Sequence, residues 1–200
     1  MSTAAQPVDQ DGIPVCDGPD LNPRRPKLKA PPGSIDCHAH IFGPVAKYPF
    51  SPKRLFTPPD VSVAQYRALL ALLGIERAVL VTPSVYGMDN ERQLDTLNEM
   101  QGRWRGVAVV PTDVADKELE RLHKAGFRGV RVNLFAKSGL MLEDLEATAA
   151  RIAGLKWHVQ LRHNVVSFCH CIDDIIGEGC RVGASKAHTF EPLDVTAGTK

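Results

Sequence analysis

The chain has 200 residues, 44% of them hydrophobic, and its 24 basic and 23 acidic residues leave a formal charge of +1. This composition suits one sizeable domain, and the balanced charge gives no electrostatic reason to expect nucleic acid or a membrane as a partner. No apolar run approaches the ~20 residues that a membrane helix needs, and residues 1–11 lack the apolar core of a secretory signal. We therefore expect a cytoplasmic protein, and the oligomeric state is left open.

Residues 1–33 are predicted to form a proline-rich N-terminal arm. Five prolines and four basic residues fall within residues 19–32. Proline removes a backbone donor and fixes φ, so this stretch is expected to be extended and not to pack as a helix or central strand. A solvated linker is the simplest interpretation, and an acidic partner for the basic residues is the alternative.

Strands and helices alternate from residue 34 to residue 161. The predicted strands cover residues 35–42, 77–82, 106–110, 129–134 and 157–161, and the predicted helices cover residues 64–73, 90–100, 116–125 and 143–153. Ser62 is predicted to cap the first helix, and a glycine ends each helix, at Gly74, Gly102, Gly126 and Gly154. Such alternation predicts a parallel sheet, as either a doubly wound open sheet or a closed eight-stranded barrel. The first strand is not followed by a GxGxxG motif, which disfavours the dinucleotide-binding form.

Two histidines, His38 and His40, stand two residues apart at the end of the first predicted strand. Residues i and i+2 of a strand face the same side, so both imidazoles are expected to point into a barrel near the carboxyl end of the strand. Barrel enzymes hold their active sites at that end. A pair of neutral imidazoles either binds a divalent metal such as zinc or donates hydrogen bonds to a carbonyl oxygen. Two structural histidines in an ordinary strand are the alternative.

Five motifs follow one another in the chain: PPGSIDCHAHIFGP (31–44), YPFSPKRLFTPP (48–59), PSVYGMDN (83–90), GFRGVRVN (126–133) and WHVQL (157–161). Together they resemble the amidohydrolase-related family, in particular the branch that contains 2-pyrone-4,6-dicarboxylate lactonase and the sugar-acid lactone enzymes. The resemblance implies a TIM-like (β/α)8 barrel that hydrolyses an ester or lactone bond of a small carboxylated substrate. It implies that His38 and His40 are catalytic, either as ligands of one divalent metal or, as in the pyrone lactonase branch, by polarising the scissile carbonyl without one.

Four further residues are candidates for substrate binding. Arg131 and Asn133 share one face of the fourth strand, and an inward guanidinium suits a substrate carboxylate. Ser84 and Tyr86 follow the second strand, where their side chains are expected to reach the pocket or else to serve the turn. Arg128 falls on the opposite face of its strand from Arg131 and is expected to be a surface or packing residue.

The family pattern is expected to end after Leu161. Arg162 stands where relatives have a pocket tyrosine, and Phe56 stands where the pyrone lactonase has another. The later DHMG-like and GTDWPHP-like motifs, the second of which carries the general base, do not occur. Five strands and four helices already fill residues 34–161, whereas a complete barrel takes ~250 residues.

We therefore predict a partial barrel of about five strands, truncated or frameshifted, with residues 162–200 as a tail outside the family pattern. His163, His170, Asp173 and Asp174 are alternative bases in that tail, although their spacing does not favour the role. Without its base the chain is expected to be a crippled lactone hydrolase. A lactone isomerase of the same branch, or a non-catalytic fragment that acts only by association, is the alternative.

Overall fold

The computed structural model describes residues 6–134, 140–162 and 182–184. Its strands are β1 (Ile35–Ala39), β2 (Arg77–Val81), β3 (Arg105–Ala108), β4 (Phe127–Asn133), β5 (His158–Arg162) and β6 (Val182–Ala184). Its α-helices are α1 (Val63–Leu73), α2 (Glu91–Glu99), α3 (Asp116–Ala125) and α4 (Leu145–Ala153), with short 3-10 helices at Ser84–Tyr86 and Leu142–Asp144.

The sheet decides between the two predicted architectures. Its strand order is β1-β2-β3-β4-β5-β6, and every neighbouring pair is parallel. Each strand therefore lies beside the next one in the chain. In a doubly wound sheet, by contrast, the strand order reverses at a switch point. This order is that of the first part of a TIM-like barrel, as predicted.

The strand β6 lies in residues 162–200, the segment predicted to be a tail outside the family pattern. It pairs with β5 through Val159↔Val182, Gln160↔Gly183 and Leu161↔Ala184. Residues 163–181 and 185–200, which include His163, His170, Asp173 and Asp174, lie outside the described residues. The predicted boundary at Leu161 and the predicted truncation therefore stay predictions.

The core lies between the sheet and its covering helices. Fully buried aliphatic residues of the strands (Leu80, Ala108, Val130 and Leu161) pack with the buried faces of the helices (Leu70, Leu97, Leu122 and Ile152). The strands β2, β3 and β4 are buried along most of their length, so their sequences are nearly continuous apolar runs that are recognisable without the fold.

The beginning and end of α1 follow the predicted signals. Ser62 and Gln65 form a capping box, in which the Gln65 backbone N–H donates to the Ser62 hydroxyl at 3.2 Å and the Gln65 side chain accepts from the Ser62 N–H at 2.8 Å. Gly74 ends the helix at φ 74°. This helix leads the chain from β1 to β2 and so places two strand ends side by side.

The first part of the N-terminal arm, which precedes the proline-rich stretch 19–32, is packed against the loop near Thr57. Asp9 accepts hydrogen bonds from Arg54 and Thr57, with 2.8 Å to the Arg54 Nη2. The backbone of Cys16 donates to Thr57 at 3.0 Å, and Thr57 donates to Pro14 at 2.8 Å. The missed signal was Asp9, which supplies a partly buried counter-charge to Arg54 across 45 residues of sequence.

In the described part of the chain, no helix has the length and apolar character needed to cross a membrane.

Candidate active site at the carboxyl ends of the strands

His38 and His40 lie side by side at the end of β1. Their ring centroids are 5.0 Å apart and the ring planes meet at 85°, so the edge of one imidazole faces the other. The arrangement expected from their spacing is thus present. The carboxyl end of β2 adjoins them in the sheet. The strands β4 and β5 also come close, because Gln160 of β5 lies 3.3 Å from His38 and Arg131 of β4 acts on both rings.

The ring of His40 is fixed by the neighbouring strand. Its Nδ1 atom lies 2.7 Å from the carbonyl oxygen of Val81, the last residue of β2. The pKa of His40 is lowered to about 4, chiefly by burial and also by the charge of Arg131, while the hydrogen bond to Val81 acts in the opposite direction. His40 is therefore neutral at neutral pH, with Nδ1 as the donor to Val81 and a lone pair on Nε2.

His38 is more exposed and faces β5. Its Nδ1 atom lies 3.3 Å from the amide nitrogen of Gln160. Loss of hydration lowers the pKa of His38, the charge of Arg131 lowers it further, and Asp36 raises it. Two neutral imidazoles at one strand end offer hydrogen-bond donors and acceptors but no charge, which suits a carbonyl group or a water molecule.

Arg131 supplies positive charge beside the two rings. It is only 5% exposed, and its Nε atom is buried without a hydrogen-bond partner among the described residues. Burial lowers its pKa to about 10, with a further contribution from Arg162, so the guanidinium stays charged at neutral pH. A buried cation with an unsatisfied donor is costly unless an anion pairs with it, so this position suits a carboxylate ligand.

The other three candidates for substrate binding are described by their position and burial. Asn133 is buried at the end of β4, two residues beyond Arg131, and pairs in register with Arg162. Ser84 is half-buried in a 3-10 helix after β2. Tyr86, in the same 3-10 helix, is 4% exposed, and its hydroxyl accepts a hydrogen bond from the backbone N–H of Gly43 at 2.8 Å.

The structure thus brings Arg131 close enough to His38 and His40 for its charge to lower the pKa of both rings. Tyr86 holds the loop that follows His40. A second contact holds that loop, because the buried Gln93 of α2 donates to the carbonyl oxygen of Ile41 at 3.0 Å. Gln93 could not be recognised from the sequence, since a glutamine on a helix face is ordinarily exposed.

Sequence reasoning also missed Gln160, and it noted Arg162 only as a departure from the family. Both lie on β5, two residues apart, and pair in register with Arg131 and Asn133 of β4. The same i and i+2 argument that paired His38 with His40 identifies Gln160 and Arg162 once the end of β5 is known. Arg162 contributes positive charge that acts on both histidines and on Arg131.

The described residues provide little support for a divalent metal beside His38 and His40. Within the described ranges, no group of three or more His, Cys, Asp or Glu side chains is arranged to hold a metal ion. Two neighbouring guanidiniums, on Arg131 and Arg162, favour an anion over a cation at this place. Metal binding by the two histidines stays a prediction.

Comparison with known proteins agrees with this fold. The amidohydrolase family model matches residues 35–187. Over 147 residues the chain is 42% identical to a 2-pyrone-4,6-dicarboxylate hydrolase of Comamonas testosteroni, covering 72% of this chain and 48% of that protein. Over 144 residues it is 26% identical to a D-galactarolactone isomerase of Agrobacterium fabrum, covering 71% of this chain and 49% of that protein.

A solved structure has the same fold. The crystal structure of a probable 2-pyrone-4,6-dicarboxylic acid hydrolase from Acinetobacter baumannii with citric acid bound superposes with a TM-score of 0.67 at 25% sequence identity. The match covers 75% of this chain and 57% of that one. This chain spans about half the length of the curated relatives that it matches.

Proposed function

We propose that this chain, which belongs to the amidohydrolase family, binds a small carboxylated lactone at the mouth formed by β1, β4 and β5 and hydrolyses its ring ester bond. The observation that carries the proposal is the buried, charged Arg131 with an unsatisfied Nε, set beside two neutral imidazoles. The relatives named as a pyrone-dicarboxylate hydrolase and a galactarolactone isomerase act on substrates of this class, and the related crystal structure holds citric acid, a tricarboxylate.

In the proposed mechanism, Arg131 pairs with a substrate carboxylate and so orients the lactone. An imidazole N–H of the His38–His40 pair donates to the carbonyl oxygen that develops negative charge when water attacks the carbonyl carbon. The ring C–O bond then breaks, giving an open-chain acid and one net proton. Neutral imidazoles act as donors here without having to lose a solvation shell around a charge.

Activation of the water requires a general base. Gln160, Arg131 and Arg162, which lie near the two rings, do not accept a proton at neutral pH. The Asp36 carboxylate near His38 already accepts from the Tyr66 hydroxyl and from the His38 backbone N–H. His40 offers a lone pair, but its pKa of about 4 makes it a weak base. We therefore expect substrate binding together with slow hydrolysis. A lactone isomerase is the second candidate, supported by the similarity to the galactarolactone isomerase, and a non-catalytic fragment that acts by association is the third.

Acid release distinguishes these candidates. Purified full-length chain is incubated with 2-pyrone-4,6-dicarboxylate, while the ultraviolet absorbance of the ring and the base needed to hold the pH are followed together. Hydrolysis consumes base as the absorbance falls, whereas isomerisation of a lactone such as D-galactarolactone proceeds without base consumption.

The matched variants are His38→Gln, which removes an imidazole from the mouth, and Arg128→Met, which changes an arginine on the other face of β4. We expect slow base consumption by the unchanged chain and by Arg128→Met, and none by His38→Gln. Hydrolysis that survives His38→Gln would contradict the assigned site. The zinc-like metal ion and the cytoplasmic location remain predictions, tested by metal analysis of the purified chain and by fractionation of cells.

A further inference from the structure

Gln160 has a position in the site that the proposed mechanism does not use. It pairs in register with Arg131 on the neighbouring strand, so the two side chains stand next to each other on one face of the sheet. Its amide nitrogen lies 3.3 Å from Nδ1 of His38. Its amide oxygen is buried and has no hydrogen-bond partner among the described residues.

We infer that Gln160 is a positioning residue, whose amide N–H donates to Nδ1 of His38 and so holds the proton of that imidazole on Nε2. A neutral imidazole carries one proton, and a ring nitrogen that accepts a hydrogen bond cannot also hold it. The tautomer of His38 therefore follows from the amide group that faces it.

The neighbouring histidine is held in the opposite tautomer. The carbonyl oxygen of Val81 only accepts, so Nδ1 of His40 is the donor and Nε2 of His40 carries the lone pair. One ring of the pair thus presents an N–H group and the other presents an acceptor, at a centroid separation of 5.0 Å.

The two tautomers give the histidines different roles. His38 donates from Nε2 to the scissile carbonyl oxygen, and His40 accepts at Nε2 from water or from a substrate hydroxyl. This assignment of roles rests on the proposed function, whereas the tautomers themselves do not. The arrangement also opposes metal binding by His38, because its lone pair is already engaged by Gln160. A metal on Nε2 would require the amide to turn and offer its oxygen to a proton on Nδ1.

Nitrogen-15 NMR of the imidazole rings in the full chain tests the inference directly, because protonated and unprotonated ring nitrogens differ widely in chemical shift. The spectrum is recorded above pH 7.5, without added metal. Two histidines serve as internal references. Trp157 Nε1–H donates to Nδ1 of His123 at 2.9 Å, which fixes an Nε2–H tautomer, and His40 provides the Nδ1–H tautomer.

We expect the His38 signals, assigned by their loss in His38→Gln, to match the pattern of His123. Signals that match His40 would overturn the inference. In Gln160→Glu the carboxylate can only accept, so the His38 pattern is expected to switch to that of His40. In Gln160→Leu the two tautomers are expected to mix, while His123 and His40 keep their signals and report that the chain is folded. An unchanged His38 pattern in both variants would also overturn the inference.

Kinetics supply a second readout. If Gln160 positions the His38 proton, Gln160→Leu is expected to lower kcat about tenfold, with KM changed less than about twofold, since the lost contribution belongs to the transition state. An increase in KM with kcat unchanged would assign Gln160 to substrate binding instead. Failure of the proposed function would show as no turnover by the unchanged chain, with the NMR result still decisive for the tautomer.

Discussion

The Nδ1 atom of His40 lies 2.7 Å from the carbonyl oxygen of Val81, so a candidate catalytic ring also ties the end of β1 to the end of β2. Burial keeps this imidazole neutral and lowers its pKa to about 4. The same contact therefore orients the ring for chemistry and makes the stability of the strand ends sensitive to acid.

The pH dependence of unfolding follows from this pKa. The unfolded chain protonates His40 near its ordinary pKa of 6.5, whereas the folded chain does so only near 4, so stability is expected to fall as pH decreases from about 6.5 to about 4. Protonation of His40 alone can change the free energy of unfolding by at most about 1.4 kcal/mol per pH unit. Urea unfolding of the unchanged chain and of His40→Gln at several pH values measures this pH dependence. If the free energy of unfolding changes equally with pH in both proteins, the assigned burial of His40 is contradicted.

Gly43, in the loop after His40, is expected to tolerate no side chain. It has φ 67°, and a Cβ atom would stand 1.8 Å from Oδ1 of Asp60. Gly12 has φ 74° with open space around it, so Gly12→Ala isolates the cost of the backbone conformation, about 1 kcal/mol. We expect Gly43→Ala to cost more than Gly12→Ala in urea unfolding and to disturb the hydrogen bond to Tyr86, because Asp60 must also move. If both variants lose the same free energy of unfolding, the loop after His40 accommodates the added methyl group without further cost.

The packing of the N-terminal arm depends on Arg54. This side chain donates to both Asp9 and Asp11, at 2.8 and 2.6 Å, and holds residues 9–16 against the loop near Thr57. Arg54→Ala is therefore expected to speed amide hydrogen exchange at Val15 and Cys16, whose N–H groups are hydrogen-bonded in the packed arm. Arg24→Ala, which changes an exposed arginine of the arm, is the control and should leave that exchange unchanged. If exchange at Val15 and Cys16 stays slow in Arg54→Ala, Arg54 is not the side chain that holds the arm in place.

The elements that the sequence predicted well are those in which one physical signal decides the outcome. Continuous apolar strands, the Ser62 cap and the glycine at the end of α1 act locally, so they are visible without the fold. The HxH pair was recognisable for the same reason, because i and i+2 share a face. Gln160, Gln93 and Asp9 were not predicted, since each has its role through a partner between 45 and 122 residues away. Such contacts become visible only when the strand ends are brought together.

The central claim is that Arg131, beside two neutral histidines, receives a carboxylate of the substrate. Calorimetric titration of the full chain with 2-pyrone-4,6-dicarboxylate at pH 7.5 tests it without depending on turnover. A charge-assisted hydrogen bond is worth about 1.5–3 kcal/mol, so Arg131→Met is expected to weaken binding by at least about tenfold. Arg128→Met, whose guanidinium instead donates to the backbone of His123 and Phe127, should bind like the unchanged chain. Equal affinity of the unchanged chain and Arg131→Met, or no binding by the unchanged chain, would contradict the account.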